Sequence, residues 1–380
     1  RPSMSKAAEL AALIGSQTAQ GNKNFIINGD MQCWQRATAA TTVTNAYATV
    51  DRYKFTENTS GAFSSERSTD TPTGTGYSLK LQCTTADTSM AAGDYAYMVQ
   101  NIEAQNLQSL QYGTSSAKTL TLSFWVKSSK TGTYAIVFSK LDNTVYLFRH
   151  EYTIDSANTW EKKTITISPT AGSTSFITSA AGAIDNDNGT GCSVFWWLCS
   201  GTDLNGGTSN AWSSNTAHYT TTNQVNWFDS TSNNFYLAQV QLEIGEVATP
   251  FEHEDFGTTL AKCQRYLYRR NFEIYDVVCQ GASLGDKGSY CLHLPVAMRA
   301  KPACAQGSGI YCWYNKAGSI TTQTGLAVTY MGANDTNMTQ AFLRADDNST
   351  ASSATNYPLG LTSYDSSGSN STFIQLDAEL

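Results

Sequence analysis

Charge is what this 380-residue chain has least of. Asp, Glu, Lys and Arg make up 14% of it, with a formal net charge of −7, where an average soluble protein carries about 25%. No Lys/Arg cluster interrupts that balance, so the basic field that supplies most nucleic-acid affinity is missing and no nucleic-acid partner is expected. Long apolar runs are missing too. The densest, Val194-Phe195-Trp196-Trp197-Leu198, is strand-sized, well short of the roughly 18 residues that suggest a membrane helix, so no membrane insertion is expected. The short apolar patch near Met4 contains Glu9, which does not suit a secretion signal. Nine cysteines form no CxxC pair and no Cys/His spacing suited to zinc. They read as small buried thiols of a protein that folds in a reducing cytoplasm.

Catalytic patterns are equally scarce. His150, His218, His253 and His293 are scattered, and there is no HExxH, GxSxG, Walker A or GxGxxG motif. The acidic run Glu252-His253-Glu254-Asp255 reads as solvated charge and a helix cap rather than an acid/base pair. Asp185-Asn186-Asp187-Asn188-Gly189 resembles part of an EF-hand loop, but it lacks the closing Glu and helical flanks, so a surface turn is the better reading. No enzyme activity, metal or cofactor is expected. A carboxylate pair of the glycosidase kind is defined only in space, so sequence does not locate one.

What the chain does have is aromatic residues (11%, with eight Trp and twenty Tyr) among abundant Thr, Ser, Asn and Gly. That composition favours strands joined by polar loops. Residues 5–14 predict one short helix, capped by Ser5 and stopped by Gly15, with Ala7, Leu10 and Ile14 on one stripe. A helix of that length needs a partner. With Leu10, Leu13 and Ile14 as its apolar surface, sister chains are one candidate and its own domain another. From 24 to about 251 short strand-like runs follow one another, at 25–27, 53–55, 77–81, 95–99, 120–126, 134–138, 164–167, 194–198 and 235–242. Such spacing predicts an antiparallel sandwich, with Leu120, Leu122, Phe124 and Val126 sharing one face. Asp255 then caps a helix whose stripe is Phe256, Leu260 and Cys263. Residues 271–380 return to strands.

The expected organisation is therefore an N-terminal helix and linker (1–23), a β domain (24–254), a linking helix (255–270) and a smaller C-terminal β-sandwich (271–380). Loop aromatics are the lead for binding, because Trp and Tyr faces stack on the apolar CH faces of sugars. Residues 201–234 hold Trp212, His218, Tyr219, Trp227 and Phe228. The first four are the candidate glycan site, and the alternative is that they fold back to cap the sandwich. Tyr311, Trp313 and Tyr314 lie on a C-terminal strand, where alternation places Tyr311 and Trp313 together in the core.

A family resemblance sharpens this. Asn24-Phe25-Ile26-Ile27-Asn28-Gly29-Asp30-Met31, Trp34-Gln35-Arg36 and Asp51-Arg52-Tyr53-Lys54-Phe55 resemble the opening of bacteriophage tail-fibre and related virion-fibre proteins. The resemblance continues in order through Leu122-Ser123-Phe124-Trp125-Val126-Lys127, Trp160 and Ala238-Gln239-Val240-Gln241-Leu242-Glu243. It extends to Ala248-Thr249-Pro250-Phe251-Glu252, Leu260-Ala261-Lys262-Cys263-Gln264-Arg265-Tyr266, Met298-Arg299-Ala300-Lys301-Pro302 and Asp377-Ala378-Glu379-Leu380. The first domain also resembles jelly-roll carbohydrate-binding modules. Those hold a structural calcium through an acidic residue after the opening Asn-Gly-Asp and paired Asp in the last strand. Here Gln32 and Ala238-Gln239 stand at those places, and a hard cation wants carboxylate oxygen, so no calcium is expected there.

The resemblance implies an all-β protein of two jelly-roll-like sandwiches. It implies a non-catalytic virion appendage, commonly a homotrimer, attached to other tail or head proteins and adsorbing to a host-surface glycan or protein. Such a protein is assembled in the bacterial cytoplasm and acts outside the cell. The alternatives are a carbohydrate-binding module of a bacterial secreted or surface protein, a purely structural virion subunit, and a capsule depolymerase. The last usually needs long β-helical repeats, and none are visible.

Overall fold

Alternating β-branched and aromatic residues fold as strands throughout the described residues, joined by polar loops. The computed structural model describes residues 24–380 apart from 44, 273–276, 285–286, 307–309, 317–318, 324–326, 331–337, 347–357 and 364–372. The expected N-terminal helix, with Leu10, Leu13 and Ile14, lies outside the described residues, as does the side-chain packing expected of Tyr311, Trp313 and Tyr314. In chain order the strands of the first two thirds are β1 (Thr41–Thr42), β2 (Lys54–Asn58), β3 (Ala62–Ser68), β4 (Ser78–Thr85), β5 (Tyr95–Glu103), β6 (Leu120–Ser128), β7 (Gly132–Lys140), β8 (Tyr146–Ile154), β9 (Glu161–Ile167), β10 (Thr190–Ser200), β11 (Ala211–Ser213) and β12 (Asn234–Ile244). Helix α1 (Phe256–Gln264) follows. Then come β13 (Leu267–Asn271), β14 (Val277–Leu284), β15 (Lys287–Met298), β16 (Ala303–Gln306), β17 (Ile310–Lys316), β18 (Ser319–Gln323), β19 (Ala327–Tyr330), β20 (Met338–Asp346), β21 (Pro358–Ser363) and β22 (Phe373–Asp377).

The chain divides into two compact units. The first comprises residues up to Asp30, Glu57–Ala62 and Thr69–His253, and the second Met31–Thr56, Phe63–Ser68 and Glu254–Leu380. Residues Met31–Thr56 thus belong with the C-terminal part of the chain rather than with the strands that surround them in sequence.

The first unit is an antiparallel sandwich. One sheet runs β4-β12-β6-β9 and the other β11-β8-β7-β10-β5. The chain crosses repeatedly between them, which is jelly-roll connectivity. Their inner faces meet through aromatic rings: Phe124 of β6 lies 5.3 Å from Tyr152 of β8 and 6.2 Å from Trp196 of β10, and Tyr134 of β7 lies 5.8 Å from Phe235 of β12. Leu120, Leu122, Phe124 and Val126 are all fully buried, as alternation predicts. The expected strand at 25–27 does not form. Phe25 N–H donates to Leu242 O, and Ile27 N–H to the Gln100 side chain, so the segment is an irregular strap along β12. Strand β8 has no counterpart among the expected strands: Arg149, His150 and Glu151 interrupt its apolar pattern.

The second unit holds a three-stranded sheet, β13-β22-β16, and a seven-stranded one, β18-β17-β21-β14-β15-β20-β19. Helix α1 is capped as expected, the Asp255 carboxylate accepting from Thr258 N–H at 3.2 Å. Its buried positions are Thr259 and Cys263, whereas Phe256, expected on the buried stripe, is 51% exposed. The packed face is therefore rotated from the expected stripe onto Thr259 and Cys263. Residues 31–56 bind the end of β22: Arg36 pairs with Asp377 at 2.8 Å and Glu379 at 3.4 Å, and Arg52 with Glu379. The Arg52 guanidinium lies 3.3 Å above the Tyr266 ring, and Gln35 Nε2 donates to Asp51 Oδ2 at 2.8 Å and Leu267 O at 2.9 Å.

Candidate functional site

The aromatic residues singled out in the 201–234 segment do not form a platform. Trp212 is 2% exposed, edge-on to Phe138 and Tyr112, with its indole N–H given to Ser168 O at 2.8 Å. Trp227 is completely buried, and its N–H donates to Asn234 O at 3.2 Å. Both fold inward because each indole finds a carbonyl as well as an apolar seat, which satisfies the whole side chain. His218 and Tyr219 remain half-buried, and only Tyr219 leads to a ring cluster.

That cluster lies on the outer face of the β5–β10–β7–β8 sheet. Strand residues two apart share a face, so Tyr95 and Tyr97 of β5 point the same way as Phe195 and Trp197 of β10. The register pairs Tyr97 with Trp197 and Val99 with Phe195. Tyr95 and Tyr97 stack at 5.8 Å and 16°. Tyr97 sits 5.0 Å from Trp197 and edge-on to Phe195 at 5.2 Å. Trp197 is seated on Ala135, Val137 and Leu147, and Tyr219 stacks on it at 5.3 Å and 30°. Trp197 itself is buried, while Tyr95, Tyr97, Phe195 and Tyr219 remain half-buried around it. Trp197 Nε1 is buried without a hydrogen-bond partner.

A loop shapes one side of this face. Arg149, 1% exposed, points outward from β8 and donates Nε to His218 O at 2.6 Å and Nη2 to the carbonyls of Asn215 and His218. Burial holds its pKa below the ordinary guanidinium value. Tyr219 N–H donates to Leu204 O at 2.7 Å, and Gly207 N–H to Thr220 O at 2.8 Å. A Cβ on Gly207 would come within 2.5 Å of the Arg149 side chain, so the close approach requires glycine. Beside the rings, Glu151 accepts from Thr221 Oγ1 and, at 3.0 Å, from Asn223 Nδ2. Ser193 donates to Asn101 Oδ1 at 2.6 Å. The face therefore offers ring surfaces bordered by amides and hydroxyls, the mixture that suits a ligand with apolar CH patches and many hydroxyls.

The acidic motifs do structural work. Asp187 Oδ1 accepts Gly189 N–H at 2.8 Å, closing a turn. Glu254 takes Thr259 Oγ1 at 3.0 Å and pairs with Lys262, while His253 lies 3.4 Å from Asp30. Among the described residues no group of three His, Cys, Asp or Glu is placed to hold a metal. Sequence reading missed the platform because Phe195-Trp196-Trp197 looks like continuous core. The available signal was the alternation Tyr95-Ala96-Tyr97-Met98, which puts both tyrosines on one face of β5.

No family model matches the chain, and no curated protein matches its sequence. Among solved structures it is similar to the family 11 carbohydrate-binding module of Clostridium thermocellum, at 14% identity over 56% of this chain and 99% of that one, with a TM-score of 0.29. It is similar to the CBM22-2 xylan-binding domain of Paenibacillus barcinonensis Xyn10C, at 14% identity over 50% and 91%, TM-score 0.28. A third likeness is to the enzymatically active domain of tailspike protein 4 of bacteriophage CBA120, at 12% identity over 58% of this chain and 21% of that one, TM-score 0.28. Overlaps this small carry no functional weight, and the site stands on its own geometry.

Proposed function

We propose that the first unit binds carbohydrate on the outer face of β5 and β10, as the recognition module of a non-catalytic phage virion fibre. One observation carries the glycan reading: Tyr95, Tyr97, Phe195 and Tyr219 stay only half-buried around a buried Trp197 instead of sinking into the core. Stacked sugar faces gain on the order of 1–2 kcal/mol per ring, from apolar area removed from water. The bordering Asn, Ser and Thr groups exchange hydrogen bonds with hydroxyls. No strong acid/base pair is needed for this role. The fibre reading draws on the ordered motif resemblance along residues 24–380. A cytoplasmically folded virion protein, rather than a secreted module, is favoured by the cysteines: among the described residues Cys83, Cys192, Cys199, Cys263, Cys291 and Cys304 are thiols outside any disulfide.

Titration of host-surface polysaccharide fragments into the protein tests the glycan site. Tyr95→Ala/Tyr97→Ala lowers affinity by about tenfold or more, since two rings at 1–2 kcal/mol exceed the 1.4 kcal/mol of one decade, while the thermal unfolding midpoint stays near the parent's. Unchanged binding by a folded double variant overturns the site.

A further inference from the structure

We propose that a cavity in the second unit, bounded by Lys54 and Arg269, binds an acidic saccharide, a sugar ring carrying a carboxylate. The cavity is about 740 Å³, within the range of small-ligand sites, and is distinct from the aromatic face of the first unit. Its charged walls are Arg36, Lys54, Arg269, Asp377 and Glu379. The two carboxylates are already engaged. Arg36 takes both, at 2.8 Å and 3.4 Å, and Arg52 takes Glu379 as well.

Lys54 and Arg269 are left with positive charge that no described carboxylate neutralises. The Arg269 guanidinium lies 4.0 Å over the Phe373 ring and donates to two neutral acceptors, Asn271 Oδ1 at 3.4 Å and Gln375 Oε1 at 3.3 Å. Burial, and then the neighbouring charge of Arg36, hold its pKa below the usual guanidinium value. A cation so placed is stabilised by any anion that enters, and its planar fork matches a carboxylate.

The rest of the wall mixes polar and apolar groups. Thr41, Asn45 and Gln375 border the space together with Tyr47 and Leu380, whose O accepts the Tyr47 hydroxyl at 2.9 Å, and Ala37, Ala46 and Ala48 form small apolar patches. Amides and hydroxyls exchange hydrogen bonds with sugar hydroxyls, and the alanines leave room for a ring to lie against the wall. A bare inorganic anion would use the cations and leave these groups idle, whereas a uronate-type sugar uses both.

The full-length protein is titrated with D-glucuronate, D-glucose and inorganic phosphate by calorimetry or ligand-observed NMR in low salt. Glucuronate is expected to bind about tenfold more tightly than glucose, and phosphate at equal concentration not to displace it. Lys54→Gln and Arg269→Gln each weaken glucuronate about five- to tenfold, whereas Tyr95→Ala/Tyr97→Ala leaves it unchanged. Equal binding of glucose, equal competition by phosphate, or parent-like affinity in a folded Lys54→Gln/Arg269→Gln double variant overturns the proposal. Loss of glucuronate binding in the tyrosine double variant moves the ligand to the aromatic face and likewise overturns it. Should the arginine variant fail to fold, the parent decides: affinity must fall as salt rises from about 20 to 300 mM, and salt-insensitive binding rejects the site.

Discussion

Asp51 shows how one buried carboxyl ties the second unit's stability to pH. Burial, its largest influence, raises its pKa from 3.8 to about 6, against the lowering effect of hydrogen bonds from Gln35 and the charge of Arg36. A folded-state pKa above the unfolded one means that the native chain holds this proton more tightly. The resulting stabilisation is complete below about pH 4 and is lost as pH rises through 6, roughly 3 kcal/mol in all. Asp51→Asn removes that dependence. Urea unfolding at pH steps from 4 to 7 should show the variant gaining on the parent as pH rises; parallel curves would reject the assignment. Arg149 makes the opposite case, a buried cation whose value is positional. Arg149→Met strands the carbonyls of Asn215 and His218 and costs roughly 2–4 kcal/mol. Denaturant unfolding gives the loss, and faster limited proteolysis within residues 201–225 is the expected sign that the Tyr219 loop has come loose.

Strand β12 carries the most information at the level of elements. Its pairing with β6 is irregular between Ala238 and Gln241, and Gln239 has a φ of 49°, a bulge that turns Val240 toward the opening strap. Val240 N–H donates to Gly29 O at 2.9 Å, Asn24 Nδ2 donates to Val240 O at 2.9 Å, and a Cβ on Gly29 would stand 2.1 Å from that oxygen. The glycine of the Asn-Gly-Asp signature is therefore explained by backbone approach. Gly29→Ala should cost about 2–3 kcal/mol of unfolding free energy through overpacking, and a thermal melt indistinguishable from the parent's would contradict that account. Beyond the bulge, Gln241 Nε2 donates to Glu243 Oε1 at 2.8 Å, and Thr249 N–H to the same oxygen at 2.8 Å. The motif pair at 238–243 and 248–252 thus closes the end of the strand. The loop aromatics follow the same rule. Trp212 and Trp227 are anchors of their segments, which no local pattern distinguishes from a sugar platform.

Across the whole molecule, the signature segments that are distant in sequence gather in the second unit: Gln35-Arg36, Asp51-Arg52, the Tyr266 region and Asp377 to Leu380 share one buried network. Arg299 joins it, donating to Ala378 O at 2.9 Å. The motifs that carry the fibre resemblance are thus mostly architecture; the proposed aromatic face uses residues outside them, whereas the proposed cavity takes Arg36, Lys54, Asp377 and Glu379 from them. We propose, from the fibre resemblance, a homotrimer: light scattering after size-exclusion chromatography should then give three times the chain mass at micromolar concentration, and a monomer mass would count against it.

The strand-rich class, the capped helix after Asp255 and the inward face of β6 were determined by the sequence alone, because each depends on local periodicity or a single capping contact. Only tertiary structure decided which aromatics face out. Phe195 and Trp197 differ from Trp196 by parity alone, and the sheet they pair into sets which parity is covered. Likewise, Arg36 and Asp377 are 341 residues apart, and no local propensity records that distant chain segments will meet and neutralise one another while no described carboxylate pairs with Lys54 or Arg269.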